Sequence, residues 1–398
     1  MQRIATFIVA IYMSPILLFI YCIGLFKRYN KITKYVHKDF KYVNMPSIAT
    51  GYETNLLFTN GYINTVVSEL FRVLRRREIP EQNTFLLTSD DGGIFSIHVY
   101  TDSLVDDKTP TMILFHGLCG GYYASYMKSF AYAYRKSGYR VVKVNARGCA
   151  DYGLNSKVFF CATHTKDHKL AIETVSLMFP SSKLFACAFS LGANILFHYL
   201  EENPTTPLTA CIAYSVAFNI PAVERHLSTF IPKYTTNFVL AVFIKQFLYK
   251  NKAMFDFLDW KSIDKSTTLQ ELDEQVVVKV FNYSSLKEYY KAADCSRCVK
   301  HVTIPFLVVN AEDDLVCPKH TIAFKEIKEN PNVALVLTQY GGHVGWAPAI
   351  PNITKDSLID QPSLPYFQNS KFNINPLLTM TNSWSEQVAV EFIDQFVQ

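Results

Sequence analysis

The sequence predicts an α/β fold with a mostly parallel sheet, flanking helices and a helical cap inserted into it. From Asn83 onward, short apolar runs typical of buried strands alternate with amphipathic helical segments. One of these strands leads into a tight small-x-Ser-x-Gly turn and then a helix, at residues 188–192. The alternation breaks only between 219 and 300, where the sequence is helical in pattern and rich in aromatic residues.

The predicted elements follow one another in a regular order. A hairpin comes first, because residues 85–88 and 94–100 flank the turn sequence Asp90-Asp91-Gly92-Gly93. Strands of the buried type are then predicted at 111–115, 140–144, 183–187, 210–214, 304–309 and 333–337. Helices are predicted at 124–137, 167–178, 193–200 and 321–329, and a closing amphipathic helix at 385–397.

Composition narrows the classes of function. The 398 residues are 49% hydrophobic and 14% aromatic, which predicts a large buried core. The net charge of +5 is modest and no basic face recurs beyond Arg75-Arg76-Arg77, so we expect no nucleic-acid partner. The nine cysteines lack the spacing of a disulfide framework. Cys295-Ser-Arg-Cys298 has no second pair or histidine run nearby, so we expect no metal and no cofactor.

The N-terminal segment predicts a membrane anchor. Residues 4–26 carry no charge and are mostly apolar. As a helix they would extend about 34 Å, enough to cross the hydrocarbon core of a bilayer. A signal peptide would have a shorter apolar core and a small-residue cleavage site. We therefore assign residues 1–26 to a transmembrane helix.

A basic segment follows the predicted anchor. Its positive residues are Lys27, Arg28, Lys31, Lys34, Lys38 and Lys41. These residues favour contact with anionic lipid headgroups and a main domain on the cytoplasmic side. The glycosylation sequons at Asn282 and Asn352 would be used only if the main domain were lumenal. The orientation therefore stays open. We expect a single-pass protein of the endoplasmic reticulum or another endomembrane, with a linker and helical connection at 27–82 and the main domain at 83–398.

Residues 188–192, Ala-Phe-Ser-Leu-Gly, have the pattern of a nucleophile elbow. In such a turn the residues two before and two after the serine must be very small. Ala188 stands where glycine is usual, and alanine is the next smallest residue. Ser190 would then be a catalytic nucleophile, whereas outside an elbow it would be an ordinary helix N-cap.

A serine hydroxyl needs a base, and the base needs an acid to orient it. An acid and a histidine follow two later strands, in the order expected after an elbow. Asp313 and Asp314 both follow strand 304–309, and the spacing to Pro318 favours Asp314, with Asp313 in a turn or supporting role. His343 follows strand 333–337 after two glycines that would leave it free to swing.

Acyl transfer also needs donors for an oxyanion. The Leu191 N–H directly follows the serine and is one candidate. The loop from His116 to Gly121 supplies the Leu118 N–H as the second, and we expect His116 itself to be structural. The insertion at about 219–300 is a candidate cap over the site, and its aromatic residues are either core or a lipid-binding surface.

These motifs together resemble the membrane-anchored alpha/beta-hydrolase-domain-containing lipases and the bacterial YheT-type esterases, with the type III domain-containing phospholipases as the nearest subgroup. The resemblance covers about residues 55–350. The motifs are Asn60-Gly61, Asp91-Gly92-Gly93, His116-Gly-Leu-x-Gly-Gly121, Asn145-x-Arg147-Gly148, Ser190-Leu191-Gly192, Tyr289-Tyr290, Asp313-Asp314 and Gly341-Gly342-His343. The resemblance implies an alpha/beta-hydrolase fold, a triad of Ser190, Asp314 and His343, and hydrolysis of glycerophospholipid or glyceride esters.

The sequence departs from that family at Tyr62, where histidine is usual, at His98, where aspartate is usual, and at Ala188. The His-x4-Asp acyltransferase signature of some members is missing, which puts such a side activity in doubt. We expect a membrane-anchored serine hydrolase acting on lipid esters. The alternatives are a catalytically weak lipid- or steroid-binding protein on the same fold, and a soluble hydrolase of small esters.

Overall fold

A nine-stranded sheet forms the centre of this computed structural model, which describes residues 27–75, 83–100, 106–150, 152–348 and 383–397. The strands of the sheet are, in spatial order, β2 (Ile32–Val36), β11 (Val333–Thr338), β10 (Phe306–Ala311), β9 (Leu208–Tyr214), β8 (Leu184–Phe189), β6 (Thr111–Phe115), β7 (Arg140–Asn145), β5 (Ile94–Tyr100) and β4 (Asn83–Thr88). The six strands from β11 to β7 are parallel, and β2, β5 and β4 are antiparallel to their neighbours.

Helices cover both faces of the sheet. Outside the insertion they are α1 (Pro46–Thr50), α2 (Gly61–Leu74), α3 (Ser125–Lys136), α4 (Lys166–Met178), α5 (Leu191–Glu202), α12 (Phe324–Glu329) and α13 (Trp384–Asp394). Side chains alternate between two cores: Met112 and Leu114 of β6 face one, Ile113 and Phe115 face the other. Because both faces are covered, the central strands are apolar at most positions, which explains the nearly continuous apolar runs in the sequence.

The insertion between β9 and β10 is helical, as predicted. Its helices are α6 (Ile220–Leu227), α7 (Phe230–Lys250, with a π-helical turn at Lys233–Asn237), α8 (Trp260–Lys265), α9 (Leu269–Leu272), α10 (Val278–Val280) and α11 (Leu286–Ala293). Some of its aromatic residues are buried, as expected of a core, and others are exposed, as a lipid-binding surface would require. Phe255 is fully buried in a core of the insertion, whereas Phe230 is 80% exposed.

The boundary predicted at residue 83 differs from the structure. Strand β1 (Lys27–Asn30) pairs with β3 (Tyr52–Asn55), and β2 forms the edge of the main sheet against β11. The Tyr35 ring packs on Phe324 at 4.7 Å between centroids. Much of the segment predicted as a linker is therefore part of the main fold. The sequence does not indicate this, because an edge strand has only one partner strand and is only partly buried.

The membrane-anchor prediction at 1–26 lies outside the described residues. Among the residues that are described, no helix has by itself the length and apolar character to span a membrane. Helices α6 and α7 meet both criteria only when taken together, and they meet at a bend of 81°. Asn282 is exposed after α10, and Asn352 lies outside the described residues.

Candidate active site

Ser190 occupies a strained turn between β8 and α5. Its φ of 51° and ψ of −118° are unfavourable for a residue with a side chain. A Cβ atom on Gly192 would lie 2.4 Å from the His116 carbonyl oxygen, so only glycine fits there. Ala188 is fully buried within β8, where its methyl group is accommodated. The geometry is that of the nucleophile elbow predicted from the sequence.

Ser190, His343 and Asp314 lie in one hydrogen-bonded chain. The Ser190 Oγ atom is 2.9 Å from His343 Nε2. On the other side of the ring, His343 Nδ1 is 3.0 Å from Asp314 Oδ1 and 2.9 Å from Oδ2. These three residues come from the ends of β8, β10 and β11, so the parallel strands bring them to one edge of the sheet.

The two neighbouring acids have different partners. Asp314 is buried, and its Oδ1 also accepts hydrogen bonds from the Val316 and Cys317 amides, both at 2.8 Å. Asp313 instead accepts from the Gly342 amide at 2.9 Å. Burial raises the pKa of the Asp313 carboxyl to about 6. Asp314, the acid preferred from the sequence, is thus the one that contacts His343.

The loop that carries His343 is held in place, contrary to the expectation that its glycines leave the histidine free to swing. The His343 amide donates to Thr65 Oγ1, and the Val344 amide donates to Ser215 Oγ, both at 2.9 Å. The Arg72 guanidinium donates to the Val344 carbonyl at 2.6 Å. Gly342 has φ +60°, and a Cβ there would lie 2.5 Å from the Gly61 carbonyl oxygen.

Sequence reasoning missed these supporting residues. Asn60-Gly61 stands out as a motif, but its structural role cannot be inferred from the sequence. The Asn60 side chain caps α2 by accepting from the Tyr62 and Ile63 amides. A Cβ on Gly61 would lie 1.9 Å from the Asp313 carbonyl oxygen, so glycine allows α2 to pack directly against the acidic turn.

The two predicted oxyanion donors face the same cavity as Ser190. Leu118 and Leu191 both line that cavity. Neither backbone N–H donates to an acceptor within the described part of the chain. His116 is structural, as expected: its Nε2 accepts from the Ala146 amide at 3.0 Å, its Nδ1 lies 2.7 Å from the Gly117 carbonyl oxygen, and burial lowers its pKa to about 4.

Arg147 joins two of the motifs from the sequence. Its fully buried guanidinium binds both carboxylate oxygens of Asp167, at 2.7 and 2.6 Å, and Asp91 at 2.6 Å. A Cβ on Gly93 would lie 2.0 Å from the same guanidinium. This network fixes the start of the loop that continues to Phe159 and Phe160 in the cavity wall.

A cavity of about 640 Å³ lies beneath the insertion and contains Ser190 and His343 in its wall. Most of the lining is aliphatic or aromatic, with Leu240, Phe243 and Ile244 contributed by α7. Asp273 is a polar exception: it is held by the Tyr290 hydroxyl at 3.1 Å, and burial raises its pKa to about 7. The cavity is large enough for a drug-sized or lipid-sized ligand.

Two departures from the family pattern have local partners. The Tyr62 hydroxyl lies 3.0 Å from Thr235 Oγ1 of α7, linking α2 to the insertion. His98 lies between Thr84 Oγ1 and Ser96 Oγ, each 3.0 Å from a ring nitrogen.

One group of side chains outside the cavity has the composition of a metal site. Cys298 Sγ is 3.3 Å from His198 Nδ1 and 3.2 Å from Glu201, toward the end of α5 remote from Ser190. The Glu201 carboxylate also accepts two hydrogen bonds from Arg297. The CxxC cysteines therefore do not face one another as a pair of ligands, since Cys295 Sγ contacts the Ala217 carbonyl instead.

Comparison with known proteins shows that this chain is similar to a phospholipase and a lipase, among other relatives. Phospholipase ABHD3 of Mus musculus is 33% identical over 272 residues, which cover 67% of this chain and 66% of that protein. An Abhydrolase domain-containing protein of Dictyostelium discoideum is 30% identical over 301 residues, 74% of each chain. Monoacylglycerol lipase of Saccharomyces cerevisiae is 29% identical over 252 residues, 61% of this chain and 56% of that protein. The match to the first of these spans just under two thirds of its length.

Residues 106–343 match the family profile Hydrolase_4, described as serine aminopeptidase, S33. This range includes the elbow, the acidic turn and the histidine, and it covers more than half of the 398 residues. The chain therefore belongs to the Hydrolase_4 family of alpha/beta-hydrolase serine hydrolases.

Proposed function

We propose that this protein is a membrane-anchored serine hydrolase that cleaves carboxylic esters of lipids. The observation that carries the proposal is the chain of hydrogen bonds from Ser190 Oγ through His343 to Asp314, with the serine in the wall of an apolar cavity. A hydroxyl in this setting has a base within reach, and the base has a buried carboxylate to orient it.

The reaction begins when Ser190 Oγ attacks the ester carbonyl carbon and passes its proton to His343 Nε2. Asp314 accepts from Nδ1–H and stabilises the imidazolium. The Leu118 and Leu191 amides donate to the oxyanion of the tetrahedral intermediate. The intermediate collapses as His343 returns the proton to the leaving alcohol. Water, activated by the same histidine, then releases the acid from Ser190.

Three features support a lipid ester as the substrate class. The cavity is largely apolar and about 640 Å³ in volume. Two of the relatives are named as a phospholipase and a monoacylglycerol lipase. The uncharged run at 4–26 and the basic residues after it suit an anchor in an endomembrane such as the endoplasmic reticulum, which would keep the site beside membrane lipids.

A fluorophosphonate probe tests the assignment of the nucleophile. The wild-type protein should be labelled, and Ser190→Ala should abolish both labelling and ester hydrolysis. Ser125→Ala is the matched control, because Ser125 lines the same cavity but bonds Glu69. Wild-type protein that binds lipid but is never labelled would favour the alternative of a lipid- or steroid-binding protein.

Membrane fractionation tests the anchor. The full chain should stay in the membrane fraction at high pH and high salt, conditions that remove proteins held by charge alone. Deletion of residues 1–26 should move it to the soluble fraction. Recovery of the intact chain in the soluble fraction, with full activity, would instead favour a soluble esterase.

A further inference from the structure

Helix α2 is amphipathic, but its polar side faces the protein and its apolar side faces outward. Its buried residues are Gly61, Asn64, Ser68, Phe71 and Arg72, and three of these five are polar. Apart from Glu69, its outward residues are large and apolar, with Val66 67% exposed and Val73 56% exposed. The full set of exposed apolar residues in α2 is Ile63, Val66, Leu70, Val73 and Leu74. A surface helix normally has the reverse arrangement, so this face needs a partner.

The polar side of α2 is turned inward because it supports the catalytic loop. Asn64 Oδ1 accepts from the Ala347 amide at 2.9 Å, and its amide group donates to the Phe58 carbonyl at 2.8 Å. Arg72 donates to the carbonyls of Val344 and Gly345. These contacts fix the rotation of the helix, so its apolar stripe cannot turn inward without breaking them.

Helix α7 carries a second exposed apolar stripe. Phe230 is 80% exposed, and the same face continues through Ile231, Tyr234, Phe238, Val239 and Phe243. Residues 229–250 contain no aspartate or glutamate and three lysines. The two stripes are linked at one end, since the Tyr62 hydroxyl of α2 contacts both Thr235 at 3.0 Å and Thr236 at 3.3 Å in α7.

The cavity lies between these two stripes. Val66 of α2 is 67% exposed and Phe243 of α7 is 47% exposed, and both line the cavity that contains Ser190. An apolar ligand could enter the cavity between these two apolar side chains, with Glu69 as an exposed charged group also in the wall.

The chain enters the described fold next to the same surface. Lys27 pairs with Asn55 in the β1–β3 ladder, and Leu56, which is partly exposed, directly follows Asn55 before α2 begins. The uncharged run at 4–26 ends at this point. A segment suited to the bilayer therefore joins the fold within a few residues of the helix with the outward apolar stripe.

We propose that the exposed apolar side chains of α2 and α7, here called the apolar rim, insert into the boundary between headgroups and acyl chains of a lipid bilayer. Substrate would then pass from the bilayer directly into the cavity. The role of the rim in substrate entry rests on the proposed function, whereas contact between the apolar rim and lipid can be measured without it. The lack of acidic residues in α7 and the position of the uncharged run favour a bilayer over a second copy of the chain or a partner protein.

Tryptophan quenching tests the contact directly in the full chain, reconstituted in vesicles of phosphatidylcholine and phosphatidylserine. Leu70→Trp and Phe230→Trp place a reporter on each stripe. Leu177→Trp is the matched control, because Leu177 is 83% exposed but lies on α4. Bromine-labelled acyl chains should quench the two rim reporters well beyond the control. Quenching equal to the control, or a concentration-dependent dimer that shields the rim from lipid, would overturn the proposal.

Kinetics test the functional consequence. The variants Leu70→Gln/Val73→Gln and Phe230→Gln/Ile231→Gln remove exposed residues that do not line the cavity. Each should lower hydrolysis of vesicle lipid by about tenfold or more, because burial of two such side chains is worth at least that factor. Hydrolysis of a soluble short-chain ester, and the activity of Leu177→Gln on both substrates, should stay unchanged.

The outcomes separate this proposal from the proposed function. If the wild type hydrolyses neither substrate, the proposed function fails, and the quenching result still decides on the apolar rim. If the wild type is active and the rim variants keep full activity on vesicles, the rim is not the route of entry and the inference fails. If a glutamine variant also loses the soluble-ester activity through misfolding, the tryptophan variants, which stay apolar, decide whether the rim contacts lipid.

Discussion

Asp313 accepts a hydrogen bond from the amide of Gly342 at 2.9 Å, and so holds the loop that carries His343. The two adjacent carboxylates therefore act on the same histidine in different ways. Asp314 contacts the imidazole ring itself, and Asp313 fixes the backbone that positions the ring. Only Asp314 has the contact that a catalytic acid needs.

Substitution of each acid by asparagine should separate the two roles. We expect Asp314→Asn to lower kcat by about four orders of magnitude, as loss of the orienting acid does in other triads. Asp313→Asn should cause a far smaller loss, because an amide oxygen can still accept from Gly342. Steady-state kinetics on a soluble ester measure both. Losses of similar size would mean that Asp313 takes part in the triad.

The raised pKa of Asp313 predicts how stability depends on pH. Its pKa of about 6 exceeds the usual value of about 4, so between these values the folded state holds the proton more tightly than the unfolded state. This carboxyl therefore makes the protein less stable as the pH rises from about 4 to about 6. Asp313→Asn should raise the melting temperature more at about pH 7.5 than at about pH 4. A gain independent of pH would contradict this origin.

Gly342 offers a test of how tightly the histidine loop is packed. Gly342→Ala places a methyl group 2.5 Å from the Gly61 carbonyl oxygen, and we expect displacement of His343 and a loss of about 100-fold in kcat. Gly51→Ala is the control, because Gly51 also has positive φ, +83°, but no atom lies within 4 Å of the added carbon. It should reduce stability by about 1–3 kcal/mol with no change in kcat, because φ +83° with ψ −177° is a conformation essentially confined to glycine. Equal kinetics for the two variants would show that the loop can yield.

The central strands and the elbow could be predicted because each leaves a recognisable pattern in a short stretch of sequence. Strand β6 is buried on both faces, and a strand in that position needs a short continuous apolar run, which the sequence shows. The elbow is recognisable from the small residues around Ser190, although the clash that demands glycine at 192 is with the His116 carbonyl oxygen of another loop. The spacing of Asp314 from Pro318 favours the acid that contacts His343 in the structure.

The supports of the site could not be predicted, because they join residues far apart in sequence. Thr65 and His343 are 278 positions apart, and nothing near either residue indicates the other. The orientation of α2 was equally hidden. A stripe of apolar residues alternating with Asn64 and Arg72 has the same helical period whichever side faces the core. The edge strand β2 escaped prediction because Lys34 interrupts a run of only five residues.

The buried charge of Lys143 should lower the stability of the protein near neutral pH, and this cost should fall as the pH rises. Its side chain is buried, and burial lowers its pKa to about 7, below the unfolded value of about 10.4. Between these values the unfolded state binds more protons, so stability rises with pH. Lys143→Met should therefore raise the melting temperature most near pH 7, and the gain should shrink toward about pH 10. Lys169→Met, at an exposed site, should show no such trend.

The buried ion pair of Arg147 with Asp167 holds the start of the loop that reaches the cavity wall. Burial by itself would raise the pKa of Asp167, but hydrogen bonds from His164 and Arg147 outweigh it and hold that pKa well below its usual range. The folded state therefore gains stability from this carboxylate above about pH 4 and loses it as the pH falls further.

Removal of the buried guanidinium should leave the Asp167 charge without compensation. We expect Arg147→Met to cost about 3–5 kcal/mol in free energy of unfolding at pH 7, measured by urea denaturation. Arg297→Met is the control, since its pair with Glu201 is half exposed and should contribute less than about 1 kcal/mol. Adding Asp167→Leu to Arg147→Met should recover much of the loss, because the unpaired charge disappears with it. A double variant no more stable than Arg147→Met would mean that packing, not the buried charge, sets the cost.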